Sequence, residues 1–309
     1  MSLGYNRPLY LLPFDHRRSY VTGMFNFKPP LTAREHQAVA DSKRVIYDGF
    51  RQALGTDVPR ASAAILVDEE FGVDILRDAV KSGYVTALST EKSGSSEFEF
   101  EYGAAFAEHI EAFGPTFAKV LVRYNPEGDA TLNRRQAAKL KQLSDYCRSA
   151  DRLFMFELLV PATKAQMDRV HADKQAYEMR IRPELTLQTV RALQDAGVEP
   201  DVWKVEGLDR REDCERVVET VRRDGRHDVG CIVLGRGADQ GKVASWLETA
   251  ASVPGFIGFA VGRTTFWDAV ADYEAQKASK QEAASRVAQQ YRKWAAIFER
   301  AHPSHTSAA

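Results

Sequence analysis

The sequence predicts a single-domain α/β protein, a (β/α)8 TIM barrel. Three observations predict it. Eight short runs rich in Val, Ile, Leu and Phe recur along the chain, each followed by a helical pattern. The length of 309 residues suits the about 250 residues typical of the barrel plus modest insertions. The first run ends Pro13-Phe14-Asp15-His16-Arg17-Arg18, with no glycine, whereas a doubly wound dinucleotide-binding sheet would turn there on a glycine-rich fingerprint.

The strands are expected at Leu9–Phe14, Ala63–Val67, Val85–Ser89, Phe117–Arg123, Leu153–Leu159, Val202–Val205, Cys231–Leu234 and Ile257–Val261. Several are almost continuously apolar, as strands covered on both faces must be. Helices are expected at Ala33–Leu54, Asp74–Ser82, Phe98–Phe113, Leu132–Ala150, Glu184–Ala196, Arg210–Arg223 and Gln240–Ala251, with a last, broken one from Phe266 to Glu299. Thr32 followed by Glu35 forms a capping box for the first helix, and Pro183 opens the helix at Glu184. The segment Lys164–Arg182 is an extra, charged helical excursion after the fifth strand. Residues 1–8 form an N-terminal segment, of which 1–3 read as a cloning remnant. The barrel occupies 9–300, and the small polar tail 301–309 is expected to be disordered.

Composition limits the function. Hydrophobic residues make up 44% of the chain, and 42 basic residues against 43 acidic ones leave a formal charge of -1. That balance argues against nucleic acid or a membrane surface as partner, and no apolar run approaches the about 20 residues of a spanning helix. Cys147, Cys214 and Cys231 are scattered and odd in number, which fits a reducing cytoplasm rather than a disulfide framework. The seven histidines show no metal-ligand spacing. No metal or cofactor is expected, and a zinc-dependent aldolase mechanism is disfavoured.

In this fold the chemistry belongs to the C-terminal ends of the strands. Alternation places Val202, Lys204 and Glu206 on one face of the sixth strand, and Trp203 and Val205 on the other. Bulky Trp203 suits the barrel–helix layer, so Lys204 is expected to point inward. Burial, with Lys119 and Arg123 nearby, would lower its pKa and free an amine able to form a Schiff base with a ketone. The competing reading is a structural ion pair with Glu157 or Glu206. Glu157, in the apolar run at the end of strand five, is either a proton carrier beside that amine or a counter-ion for Lys204 or Lys119. Asp15 is likewise a base or a partner of Arg17 or Arg123. Gly235-Arg236-Gly237 after strand seven and Gly262-Arg263-Thr264 after strand eight occupy the two places where barrels commonly bind phosphate. Each alone reads equally well as a turn beside a surface arginine. His16 is the only histidine at a strand end.

A resemblance follows from these segments. Phe14-Asp15-His16-Arg17, Glu91-Lys92-Ser93-Gly94, Lys119 to Tyr124, Phe156-Glu157, Asp201-Val202-Trp203-Lys204-Val205-Glu206 and Gly258 to Arg263 appear in order at strands one, three, four, five, six and eight. Together they resemble the class I tagatose-bisphosphate aldolase family. The likeness is closer to the aldolase-like domain that follows the sugar kinase in bacterial 5-dehydro-2-deoxygluconokinases of myo-inositol catabolism, and spans about residues 9 to 270. The resemblance implies Lys204 as the Schiff-base lysine, Glu157 as its acid/base, Asp15 and Lys119 around the reacting carbons, and Arg263 on phosphate. Arg123 stands where the tagatose enzymes carry an uncharged residue, and Ser93 replaces a threonine. Arg123, Lys92 or Arg17 would hold a carboxylate or far hydroxyls, which suits 6-phospho-5-dehydro-2-deoxygluconate, cleaved to dihydroxyacetone phosphate and malonate semialdehyde. The alternatives are tagatose 1,6-bisphosphate or another sugar phosphate, and a non-catalytic sugar-phosphate-binding barrel. The only partner implied is the small-molecule substrate; a homo-oligomer is left open.

Overall fold

The eight apolar runs close on one another in strict sequence order, as parallel neighbours from β1 to β8 and back to β1. The computed structural model describes residues 2–55 and 58–302, so the tail from Pro303 lies outside the described residues. The strands are β1 Leu9–Pro13, β2 Ala63–Val67, β3 Val85–Ser89, β4 Phe117–Arg123, β5 Leu153–Leu159, β6 Val202–Glu206, β7 Gly230–Leu234 and β8 Phe256–Ala260. Each lies within a residue or so of its expected position, because a strand buried on both faces leaves an unbroken apolar signature.

Outside the strands lie helices α1 Arg18–Phe25, α2 Ala33–Ala53, α3 Glu69–Lys81, α4 Phe106–Phe113, α5 Ala130–Ser149, α6 Lys164–Arg169 and α7 Lys174–Ala176. They continue as α8 Arg182–Asp195, α9 Arg211–Val221, α10 Gln240–Ala251, α11 Arg263–Glu274 and α12 Lys280–Ala301. The capping box at Thr32 is present, with both of its hydrogen bonds made. A π-helical turn, Tyr177–Ile181, joins α7 to α8; the charged segment after β5 is therefore several short helical pieces, broken at residues 170–173 where His171 and Ala172 are left-handed. Among the described residues no helix is long and apolar enough to cross a membrane.

Three expectations need correction. Helix α3 starts at Glu69 rather than Asp74, because Asp68 caps it by accepting from the Phe71 amide at 2.9 Å while pairing with fully buried Lys43. Helix α1, which follows β1 directly, has no counterpart in the sequence reading; its only buried residues are Tyr20 and Val21, too short a stripe to give a period. The stretch Phe98–Phe113 is helical only from Phe106, after a 3-10 turn at Gly103–Ala105. Residues before it fold back on the β3 exit as a small hairpin. The Lys92 amide donates to Glu99 O at 2.8 Å and the Glu101 amide to Thr90 O at 2.9 Å, around a Glu91–Phe100 bridge. The run Glu97-Phe98-Glu99-Phe100-Glu101 alternates with period two, the signature of an extended segment.

The interior is layered. Leu9, Leu11, Ala64, Leu66, Ala87, Phe117, Met155, Val202 and Ile232 fill the lower barrel, and Tyr5 meets Phe117 edge-on at 5.1 Å to close the bottom. The larger cluster, including Trp203, Phe156, Phe259 and Trp294, lies between strands and helices. Closure between β8 and β1 depends on Gly258, where an added Cβ would sit 1.8 Å from Leu9 O. Gly258→Ala is therefore expected to destabilise the fold by roughly 3 kcal/mol or more. Urea unfolding of the variant measures it, and a change below about 1 kcal/mol would show that the strands can part at this seam.

Candidate active site

Register brings the polar residues together. Glu157 on β5 pairs in register with Lys204 on β6, and Leu121 on β4 with Glu157. Register partners in adjacent strands share a face, and residue 119 shares the inward face with 121. Glu157 and Lys204 thus share an inward row with Leu121; Lys119 stands one row lower, in register with Met155, and its side chain reaches up to Glu157, so that the three make one polar tier above Phe117. Trp203 faces out and packs against Phe156, with ring centroids 4.9 Å apart. The inward orientation of Lys204 follows from this alternation.

The centre of the tier is Lys119, whose side chain is wholly buried. Its Nζ meets Asp15 Oδ2 at 2.8 Å, Glu91 Oε1 at 3.0 Å and Glu157 Oε2 at 2.9 Å. Glu157 Oε2 also accepts from Lys204 Nζ at 2.7 Å, with Lys204 4% exposed. Of the two partners the sequence allowed for Lys204, Glu157 takes it. Glu206, two residues further along the same face, is taken up elsewhere, accepting from the Val160 amide at 2.9 Å and from Arg236 Nε at 2.9 Å.

These contacts set the protonation states. Burial alone would hold the Lys119 ammonium low, but Asp15, Glu157 and Glu91 raise it well above the usual lysine range, locking the charge. Burial pushes the Asp15 carboxyl up, yet Lys119, His16 and Lys204 outweigh it and hold Asp15 well below the carboxylate range. Glu157 is also lowered, since Lys119 and Lys204 together overcome its burial. Glu91 goes the other way: burial raises it beyond what Lys119 and Arg17 take back. His16 is pulled down to about 4 by burial, helped by Arg263, Lys43 and Lys204 and opposed by Asp15.

Above this tier opens a cavity of about 640 Å³, lined by residues from the ends of β1, β3 to β8 and the β3 hairpin. Asp15, Arg17, Lys92, Arg123, Glu157, Lys204, Gly235, Arg236, Gly237, Gly262 and Arg263 all line it; Lys119 lies beneath. The arginines differ in what they are free to do. Arg17 is buried and committed, its Nη1 to Glu101 at 2.6 Å and its Nη2 to the Glu91 carbonyl at 2.5 Å. Arg236, in a left-handed backbone conformation, is held by Glu206 and, at 2.6 Å, by Glu178 of the π-helical turn. Arg263 donates to Ser19 Oγ at 2.7 Å, and its buried Nε has no hydrogen-bond partner among the described residues. It is the first residue of α11, whose N-terminus no described side chain caps. Gly262 lets that N-terminus approach β1, since an added Cβ would stand 2.3 Å from Pro13 O. Arg123 is exposed and reaches Ser95 O at 3.4 Å, while Lys92 faces Glu99 at 3.8 Å.

Sequence reasoning missed several lining residues. Arg18, Ser19 and Thr22 come from α1, and Ser93, Ser95 and Ser96 from the hairpin tip. The period-two run at 97–101 was the signal for the hairpin.

The closed eight-stranded barrel thus gathers a lysine, two ionised carboxylates and the N-terminus of α11 at the C-terminal ends of its strands, the end at which barrels of this fold carry their sites. The chain belongs to the DUF2090 family, described as an uncharacterized protein conserved in bacteria, whose model matches residues 5–302. No curated protein matches it. Among solved structures it is similar to a fructose-bisphosphate aldolase from Plasmodium falciparum, crystallised with TRAP and a small-molecule inhibitor. That likeness has 12% identity and a TM-score of 0.64, over 97% of this chain and 92% of the other. Cgl0159 from Corynebacterium glutamicum aligns at 18% identity and TM-score 0.56, over 94% of this chain and 88% of that one. An archaeal fructose 1,6-bisphosphate aldolase aligns at 14% identity and TM-score 0.55, over 93% and 95%. At such identities the shared feature is the barrel.

The His16 environment has a measurable consequence. A histidine at about 4 when folded and 6.5 when unfolded binds fewer protons in the native state between those values, so its contribution is full above pH 6.5 and is lost on acidification toward pH 4. Between pH 7 and pH 4 the wild type is expected to lose about 3 kcal/mol of stability that His16→Gln does not lose. Urea titrations of both proteins at the two pH values measure the difference, and equal losses would place a solvated imidazole at position 16.

Proposed function

We propose that this protein is a class I aldolase acting on a phosphorylated keto-sugar, with Lys204 as the Schiff-base lysine. One observation carries the reading. Lys204 Nζ lies at the base of the cavity, 2.7 Å from a carboxylate that already has a second, permanently charged lysine against it. A proton leaving Lys204 thus has a recipient in contact, and Lys119 keeps that recipient ionised between turnovers. The aldolases among the similar solved structures share the fold, and the resemblance of the strand-end segments to the tagatose-bisphosphate aldolase family supports the same assignment.

The chemistry runs through the chain's own residues. The free amine of Lys204 adds to the substrate ketone; Glu157 passes a proton to the resulting hydroxyl, which leaves as water, and the iminium forms. Asp15 removes the proton of the hydroxyl β to the former ketone. The carbon–carbon bond breaks, its electron pair moves toward the iminium nitrogen, and an aldehyde departs, leaving an enamine on Lys204. Burial beside Lys119 suits both carboxylates to this work, since each starts ionised and each is fixed to within hydrogen-bond distance of one ammonium.

Phosphate is assigned to the uncapped N-terminus of α11 at Gly262 and Arg263, beside the glycines of Gly235-Arg236-Gly237. Arg123 and Lys92, across the cavity on β4 and the hairpin, would hold a second anionic group. A carboxylate there makes the substrate a phosphorylated keto-sugar acid, such as 6-phospho-5-dehydro-2-deoxygluconate; a phosphate there makes it a bisphosphate such as tagatose 1,6-bisphosphate. Arg17 is left out of the substrate contacts because Glu101 and Glu91 already hold it. A cytoplasmic setting goes with this reading, since all three thiols are buried and unpaired.

Coupled assays over these candidate substrates test the assignment. Lys204→Met is expected to lower kcat/KM by about 10⁴-fold or more on whichever substrate is cleaved. Arg263→Ala should act mainly on KM, by about tenfold or more. Activity in Lys204→Met within about tenfold of wild type would refute the lysine's role. Binding of phosphate esters without cleavage of any candidate would favour the non-catalytic barrel.

A further inference from the structure

Glu91 takes no part in the steps above, yet it is the third carboxyl on Lys119. It lines the cavity with Asp15, Glu157 and Lys204. Its Oε1 accepts from Lys119 Nζ at 3.0 Å, its carbonyl accepts from Arg17 Nη2, and Arg17 also stands 3.8 Å from Oε1. Its Oε2 is buried and has no hydrogen-bond partner among the described residues. A buried carboxylate oxygen without a donor is costly, whereas the same oxygen carrying a proton is ready to donate. Three carboxyls around one ammonium do not all ionise with equal ease, and environments that push such groups apart divide the acid from the base. Asp15 and Glu157 are lowered, and Glu91 is raised by its burial.

We propose that Glu91 is a further catalytic residue, the acid that protonates the enamine carbon left after carbon–carbon cleavage. The inference rests on the Schiff-base reading above. The Glu91 O–H bond breaks, a C–H bond forms at the enamine carbon, and the enamine electron pair moves into that bond, restoring the iminium for hydrolysis by water. At that point Asp15 carries the proton taken from the substrate hydroxyl and Glu91 is ionised. Lys119 touches both, at 2.8 Å and 3.0 Å, so it gives one proton to Glu91 and receives one from Asp15. The relay returns the site to its starting state with no external acid.

The test uses dihydroxyacetone phosphate as probe, with two readouts on each protein: borohydride trapping by intact mass, and exchange of the carbon-bound hydrogens beside the ketone in D2O by NMR. Trapping requires only the imine; exchange requires proton transfer at carbon. Wild type is expected to do both. Glu91→Gln is expected to trap to within about twofold of wild type while exchange falls by about 100-fold or more. Exchange within about threefold of wild type, or trapping that falls in step with exchange, overturns the proposal. If Glu91→Gln does not fold, Glu91→Asp, which keeps a carboxyl but withdraws it by one methylene, carries the same two readouts. Normal trapping with slowed exchange then supports the proposal, and unchanged exchange overturns it. Wild type that gives no trapped adduct refutes the Schiff-base reading itself, and the role of Glu91 with it.

Discussion

One buried ammonium organises the upper barrel. Lys119 has no exposed side-chain surface, and three carboxyl groups, Glu157 of β5 and Asp15 and Glu91 from the exits of β1 and β3, converge on its Nζ. A lysine without those partners would not stay charged in this place, and Asp15 and Glu157 without the lysine would not stay ionised. The charges therefore depend on barrel closure: Asp15 and Lys119 are 104 residues apart in sequence and meet only because β1 and β4 face each other across a closed cylinder. The apolar floor beneath keeps water out and strengthens each contact.

Lys204 draws its chemistry from this arrangement at one remove. It touches Glu157, and Glu157 touches Lys119. The carboxylate between two lysines is the counter-ion that the sequence suggested, and on the proposed reading it is also the proton carrier for an amine nucleophile. Around the tier, the rim cations divide by their partners. Arg17 and Arg236 are held by carboxylates, Arg236 by way of Glu178 from the segment after β5, whereas Arg263 keeps a buried nitrogen with no hydrogen-bond partner among the described residues at the N-terminus of α11.

Much of this was legible in the sequence, for physical reasons. Strands buried on both faces leave short apolar runs, and here each is followed by a helical pattern, so all eight strands and their order could be read. Strand alternation fixed the inward face of Lys204 because Trp203 beside it could only belong outside. What escaped was local structure with little apolar content. Helix α1 buries only Tyr20 and Val21. The end of the hairpin, 98–101, was absorbed into a helix expected over Phe98–Phe113, although the run 97–101 alternates with period two. Partner choice escaped as well. That Glu91 joins Asp15 and Glu157 on one lysine, and that Arg236 is occupied by Glu178, depends on distances between elements that no spacing along the chain encodes. The fold alone does not settle activity, since barrels host many chemistries; the arrangement on Lys119 gives this barrel a specific one to test.

The most direct measurement is peptide mapping after borohydride reduction in the presence of each candidate keto-sugar phosphate. The account predicts one covalent adduct, on the peptide containing Lys204, with Lys119 unmodified beneath its three carboxylates. An adduct on Lys119 or on a rim lysine such as Lys92, or none with any candidate that the protein binds, would contradict it.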